Sequence, residues 1–147
     1  VTLKRAMTDD FKAYARQVLV NSKTLAASLM ERQASLVTGG TDNHMMVIDT
    51  VKSYGLDGKV AEETLDKVNI TTNKQIIPDD PNPPLRPSGI RIGTPAATSR
   101  GMTEEAMRQL ADWLDRCLRS PEDDAVHVEI RDEVVSFCEG FPVPGIE

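Results

Sequence analysis

Phe11, Tyr14, Val18, Leu25 and Leu29 recur at steps of three or four residues, or multiples of them, in a polar background without proline or glycine. That spacing predicts one amphipathic helix from near residue 8 to near residue 33. Thr8 stands where an N-cap belongs, and Asp9 and Asp10 place carboxylates against the positive end of the helix dipole. At about 1.5 Å per residue the helix would run roughly 37 Å, a length suited to a spine between two lobes. Ser35 to Thr38 and Met45 to Thr50 are short β-prone runs, and Gly39 and Gly40 supply a turn between them.

Val60, Ala61, Thr64, Leu65 and Val68 share one face of a second helix over Lys59 to Val68, with Asp57 as its candidate cap. Ile70 to Asn73 reads as a strand. From Lys74 to Ser88 the chain turns proline-rich, and Pro78, Pro81, Pro83, Pro84 and Pro87 forbid helix and interrupt any ladder. A stiff loop of that length is uncommon in a compact domain and points to function. Gly89 to Gly93 alternates as a short strand, with Ile90 and Ile92 facing one way and Arg91 the other. Two helices follow. Thr103 caps the first, whose stripe is Met107, Leu110, Leu114 and Cys117, and the second carries Val126, Ile130, Val134 and Phe137 and ends at Gly140. The expected fold class is therefore α/β in the α+β sense: a small, mostly antiparallel sheet with helices packed on it.

The 147 residues are 39% apolar and 27% charged, which suits a single globular unit or a piece of a larger one. Aromatic residues are only 4%, so the core must be built from aliphatic side chains and Met. A net charge of -6 argues against nucleic acid or anionic membrane as partners. No apolar run reaches the roughly 20 residues that span a bilayer. Cys117 and Cys138 are too few and too far apart for a disulfide framework or a zinc site, and read as reduced thiols on helix faces in a cytoplasmic protein. The chain opens on Val1 without an initiator methionine, as expected of part of a longer polypeptide.

Few residues stand out chemically. His44 and His127 have no metal-ligand or nucleophile partners in sequence; His44 reads as a turn residue and His127 as a solvated one. The stretch around Gly89 to Gly93 lacks phosphate-loop spacing, and no helix is expected directly after Gly93. Arg91 is the exception, because a guanidinium held on a short strand between glycines can fork onto a carboxylate. A structural ion pair is the competing reading.

Four ordered segments change the balance. Gly39-Gly40-Thr41-Asp42-Asn43-His44, Gly55-Leu56-Asp57-Gly58-Lys59, Ile70-Thr71-Thr72-Asn73-Lys74, and Pro87 to Ala96 followed by Arg100-Gly101-Met102 together resemble serine hydroxymethyltransferase. The resemblance covers essentially the whole chain and implies the C-terminal third of a fold-type I pyridoxal-phosphate enzyme. Residues 1–34 would be a long interdomain helix and residues 35–147 the C-terminal small domain. The implied activity is glycine hydroxymethyl transfer, interconverting serine and glycine and passing the one-carbon unit to tetrahydrofolate.

The resemblance assigns the substrate carboxylate to Arg91 and places Asn73 and Gln75 on the folate side, Gln75 standing where the family usually has Asn. The family's cofactor lysine has no counterpart here, so pyridoxal phosphate would be bound mainly by a missing N-terminal large domain. No residue of this chain is expected to be catalytic, no metal is expected, and the isolated chain should be inactive. Serine or glycine and folate would be partners of the complete enzyme, a homodimer or tetramer. The alternative is a stand-alone amino-acid or protein-binding module that reuses the small-domain fold.

Overall fold

The computed structural model of the chain describes residues 1–145. A short helix, α1 (Thr2–Ala6), precedes the long one, α2 (Asp9–Glu31). Hydrophobic spacing gives no sign of α1, whose five residues bury nothing. Thr8 caps α2, its hydroxyl accepting from the Phe11 amide at 3.3 Å. The apolar stripe of α2 is effective only from Val18 onward, through Leu25, Ala26 and Leu29. Phe11, expected on that stripe, is 42% exposed because the first two turns of α2 bury no residue.

After α2 come β1 (Ser35–Leu36), β2 (Met45–Asp49), α3 (Thr50–Tyr54) and α4 (Gly58–Asp66). The run expected to stay extended to Thr38 stops at Leu36, where a 3-10 turn over Val37–Gly39 puts Thr38 at φ 69. Asp57 caps α4, one carboxylate oxygen accepting from the Lys59 and Val60 amides at 3.0 Å each. β3 (Asn73–Gln75) begins three residues later than the expected strand. The reason is the exit from α4: Asn69 adopts φ 61 and the Ile70 amide folds back to the Leu65 carbonyl at 3.1 Å. Ile70 thus closes the end of the helix, and the ladder starts only at Asn73.

β4 (Gly89–Gly93) completes a sheet of order β1-β2-β4-β3 in which every pairing is antiparallel. Contrary to expectation, a short helix, α5 (Pro95–Ser99), starts soon after β4, because Pro95 presets the helical φ at its first position. Then come α6 (Glu104–Arg119) and α7 (Asp124–Glu139). Helices against a small antiparallel sheet make this an α+β domain, as the residue pattern implied.

Met46, Ile48, Ile90 and Ile92 turn one sheet face inward, where Leu25 and Leu29 of α2, Leu65 of α4 and Met107, Leu114 and Leu118 of α6 cover it. Burial of these aliphatic side chains contributes roughly 1.5–3 kcal/mol each relative to exposure. A buried polar seam runs between α2 and the segment after β4. Thr94 donates its hydroxyl to the Val18 carbonyl at 3.0 Å, and the Asn21 amide donates to Thr98 and to the Met102 carbonyl at 2.9 Å each.

Three further expectations are corrected. His127 is 4% exposed rather than solvated, because it shares the inward stripe of α7 with Ile130 and Val134 at the i, i+3, i+7 spacing. Thr103 occupies the N-cap position of α6, but its hydroxyl makes no capping bond. Gly140 ends α7 at φ -74, not in the left-handed region. The Arg100 guanidinium helps close that end by donating to the Cys138 and Phe141 carbonyls at 3.3 and 2.7 Å. Among the described residues no helix is long and apolar enough to cross a membrane.

Candidate functional site

Strand alternation places Arg91 opposite in sense to Ile90 and Ile92, on the exposed side of β4. Its cross-strand partners are Val47 on β2 and Asn73 on β3. The Arg91 Nε donates to Asn73 Oδ1 at 3.2 Å. By contrast, Arg86, Arg116 and Arg119 each hold a carboxylate, at 2.7, 2.7 and 2.9 Å, and Arg91 holds none among the described residues. The guanidinium borders an open depression of about 490 Å³ with His44, Met45, Thr72, Asn73 and Gly93. The Thr72 hydroxyl on that wall is buried without a hydrogen-bond partner among the described residues.

The rim of the depression is fixed by a turn. Asn43 Oδ1 accepts from the Met45 amide at 2.9 Å, and the Asn43 amide donates to Thr41 Oγ1 at 3.2 Å. His44 contributes its carbonyl, which accepts from the Thr94 amide at 3.0 Å. A side chain at Gly93 would press against that carbonyl at 3.3 Å, so the absence of one lets the two segments approach.

Gln75 lies one pleat from Asn73 on the same face of β3, opposite Gly89, and its amide donates to the Ile76 carbonyl at 3.1 Å. Lys74 points the other way, to Glu62 of α4 at 2.8 Å. Its backbone amide also donates to Glu62, at 3.2 Å. The hydrogen bond and ion pair hold the Glu62 carboxyl below its ordinary range and raise Lys74.

The proline-rich loop is organised by Asp80, which sequence reasoning did not single out. Asp80 accepts from the amides of Ile77, Asn82 and Ser88 at 3.2, 2.9 and 2.9 Å and from the Ser88 hydroxyl at 2.6 Å. Desolvation opposes its ionisation, but the Ser88 hydroxyl and those amides outweigh it and bring the carboxyl down to about 2. The usable signal is local: an Asp two residues before Asn82, between prolines, is an Asx-turn pattern. The loop is pinned from outside by Arg86, which reaches Asp57 at 2.7 Å, and by the Gly58 amide, which donates to the Pro87 carbonyl at 2.6 Å. A Cβ at Gly58 would collide with the Gly89 carbonyl, so α4 can sit this close only with glycine there.

Segments distant in sequence therefore converge on β4 and its flanks: the turn at residues 39–44, the start of α4 at Gly58, and β3. The family profile for serine hydroxymethyltransferase matches residues 1–114, which takes in all of them. The chain belongs to the serine hydroxymethyltransferase family.

A serine hydroxymethyltransferase of Sorangium cellulosum is 46% identical over 146 residues, covering 99% of this chain and 34% of the relative. "Serine hydroxymethyltransferase 2" of Mesorhizobium japonicum is 45% identical over 146 residues, covering 99% of this chain and 33% of its own length. The chain thus spans about a third of the length of the curated serine hydroxymethyltransferases it matches. Among the described residues no cluster of three or more His, Cys, Asp or Glu is placed to hold a metal ion. Of the lysines, Lys4, Lys12, Lys23, Lys52, Lys59 and Lys67 are exposed, Lys74 is paired with Glu62, and none borders the depression beside Arg91.

Proposed function

We propose that this chain is the C-terminal part of a pyridoxal-phosphate-dependent serine hydroxymethyltransferase that interconverts serine and glycine with transfer of the one-carbon unit to tetrahydrofolate. Residues 1–34 serve as the helix between domains and residues 35–147 as the small domain, whose last two residues lie outside the described ones. Arg91 binds the α-carboxylate of the amino acid. Asn73 and Gln75 border the folate side, and the proline loop walls it. The complete enzyme is a cytoplasmic homodimer or tetramer.

The observation that carries this reading is a guanidinium at the rim of a depression whose partner is a neutral amide and, among the described residues, no carboxylate. A charge left unneutralised by the described residues is available to an incoming carboxylate, which it can grip through two parallel bonds. The chain's share in the chemistry is orientation, since a clamp on the carboxylate fixes the pose of the α-carbon. Pyridoxal phosphate requires a lysine for its aldehyde and a cradle for its phosphate. The exposed or ion-paired lysines of this chain do not fit that group. Its binding is assigned to residues beyond this chain, so the isolated chain is inactive.

Two experiments test the proposal. Residues 1–147 are made to replace the matching third of the Sorangium cellulosum relative, and Arg91→Lys is assayed in the resulting chimeric holoenzyme. The expected loss in kcat/KM for serine is about 100-fold, the scale set by truncating a desolvated charge-assisted pair. An unchanged KM removes the carboxylate role. In the isolated chain, pyridoxal phosphate followed by borohydride should leave no stoichiometric label on any lysine. One stoichiometrically labelled lysine, or micromolar glycine binding by the chain alone, points instead to a self-sufficient module.

A further inference from the structure

The bond between Arg91 and Asn73 has a direction that decides how the guanidinium is presented. Asn73 and Arg91 are directly opposed across the β3–β4 ladder. The Asn73 amide is oriented by its own Nδ2, which donates to the Lys74 carbonyl at 3.1 Å, so Oδ1 is the atom turned to the Arg91 Nε at 3.2 Å. The strand beneath is anchored in turn, because the next residue's backbone amide and Nζ both bind Glu62. Using Nε alone leaves the end-on edge of the guanidinium, both Nη groups, free for a forked contact.

The acceptor is also neutral. Among the described residues outside the sheet, Arg32, Arg86, Arg116 and Arg119 sit within 3.5 Å of carboxylates and have their charge largely answered. An amide oxygen holds the side chain in place while leaving the full positive charge for another anion. Building on Arg91 as the carboxylate ligand, we propose that Asn73 is a positioning residue for it: Asn73 aims the guanidinium at the depression without neutralising it, in addition to bordering the folate side. Its requirement is for a hydrogen-bond acceptor without charge, which separates it from a residue that merely stabilises the ladder.

That distinction can be measured. Asn73→Asp keeps the shape and the acceptor but adds a charge and gives up the Nδ2 donor to the Lys74 carbonyl, whereas Asn73→Ala removes both donor and acceptor. In the chimeric holoenzyme, Asn73→Asp should raise the KM for serine by about 30-fold and Asn73→Ala by about 5-fold, with kcat within about twofold in both. Thermal melting of the chain should follow the opposite order, because the ion pair with Arg91 offsets the lost Nδ2 bond in Asn73→Asp, which should melt above Asn73→Ala. A purely structural residue would make KM and melting fall into the same order, which overturns the proposal.

Arginine side-chain NMR on the 147-residue chain supplies a second reading independent of the holoenzyme. The Arg91 Nε–H should exchange with water more slowly than that of exposed Arg16, and lose this protection in Asn73→Ala. Equal exchange for Arg91 and Arg16 in the wild-type chain overturns the proposal. If Arg91→Lys leaves the serine KM unchanged, the carboxylate reading itself falls. If Arg91→Lys raises it while both Asn73 variants behave as wild type, only the positioning role is lost.

Discussion

Arg116 and Arg91 occupy regions that treat the same side chain in opposite ways. Between α6 and α7, Arg116 is wrapped by carboxylates, reaching Glu133 at 3.1 Å and Glu129 at 2.7 Å. Glu133 also accepts from the Trp113 indole at 2.6 Å, while Phe137 meets the Trp113 ring edge-on at 5.3 Å. Charge there is internal to the molecule and joins two helices over an apolar core. On the outer face of β4, Arg91 has among the described residues one neutral partner, and an open depression beside it. An arginine whose charge is matched at home serves packing, and one supported without neutralisation serves something outside the chain.

The largest expected contrast is in stability. Leu114 is fully buried in α6, and Leu114→Ala should lower the free energy of unfolding by about 3 kcal/mol in urea titration. Arg91→Ala should change it by less than about 0.5 kcal/mol. Comparable losses for the two would mean that Arg91 is part of the framework, and the contrast would collapse.

A smaller effect belongs to Glu133→Gln, which removes the charge that faces Arg116 while keeping an acceptor near Trp113. We expect a loss of about 1 kcal/mol at neutral pH, the scale of a partly exposed ion pair. Arg116 first, and then Trp113, hold the Glu133 carboxyl below its ordinary range. A depressed carboxyl stabilises the fold fully above its unfolded value, near 4.3, and that contribution disappears as pH falls through the folded value. Wild type and Glu133→Gln should therefore converge in acid, and a constant gap down to pH 3 would show that charge is not what joins the helices.

The smallest effect is local, in the proline loop. With its carboxyl at about 2, Asp80 supports the loop fully above its unfolded value near 3.9 and loses its hold as pH falls toward the folded value. In Asp80→Asn at neutral pH, amide hydrogen exchange at Ser88 and Asn82 should accelerate while that at Lys74, bound to Glu62, stays unchanged. Acceleration spread through β4 would mean that the loop and the sheet open together, erasing the line between scaffold and site wall.

The elements legible in the sequence are those whose burial is periodic. α2, α4, α6, β2 and β4 follow from apolar spacing because one face of each meets the same core. β3 starts later than the spacing implies because its beginning depends on Asn69 adopting φ 61 at the end of α4, and Asn permits that conformation without demanding it. His127 departs from expectation for a related reason: a charged helix with a weak stripe leaves its register open, and the true inward line runs through 127, 130 and 134. In the site, Arg91 is visible because strand alternation sets it apart from two isoleucines. The roles of Asp80, Ser88 and Glu62 are not, since the first two depend on contacts that loop geometry creates and the third on the packing of α4 against β3.

The seam of Thr94, Thr98 and Asn21 gives α2 a keyed seat. A helix laid on its neighbour through aliphatic contacts alone can creep by one turn, about 5.4 Å, and find a nearly equivalent groove. Here such a slip would strand the Asn21 amide and the Thr94 hydroxyl in an apolar setting with nothing to bind. The long helix is therefore held in one axial position against Thr94, the residue that directly follows the strand bearing Arg91.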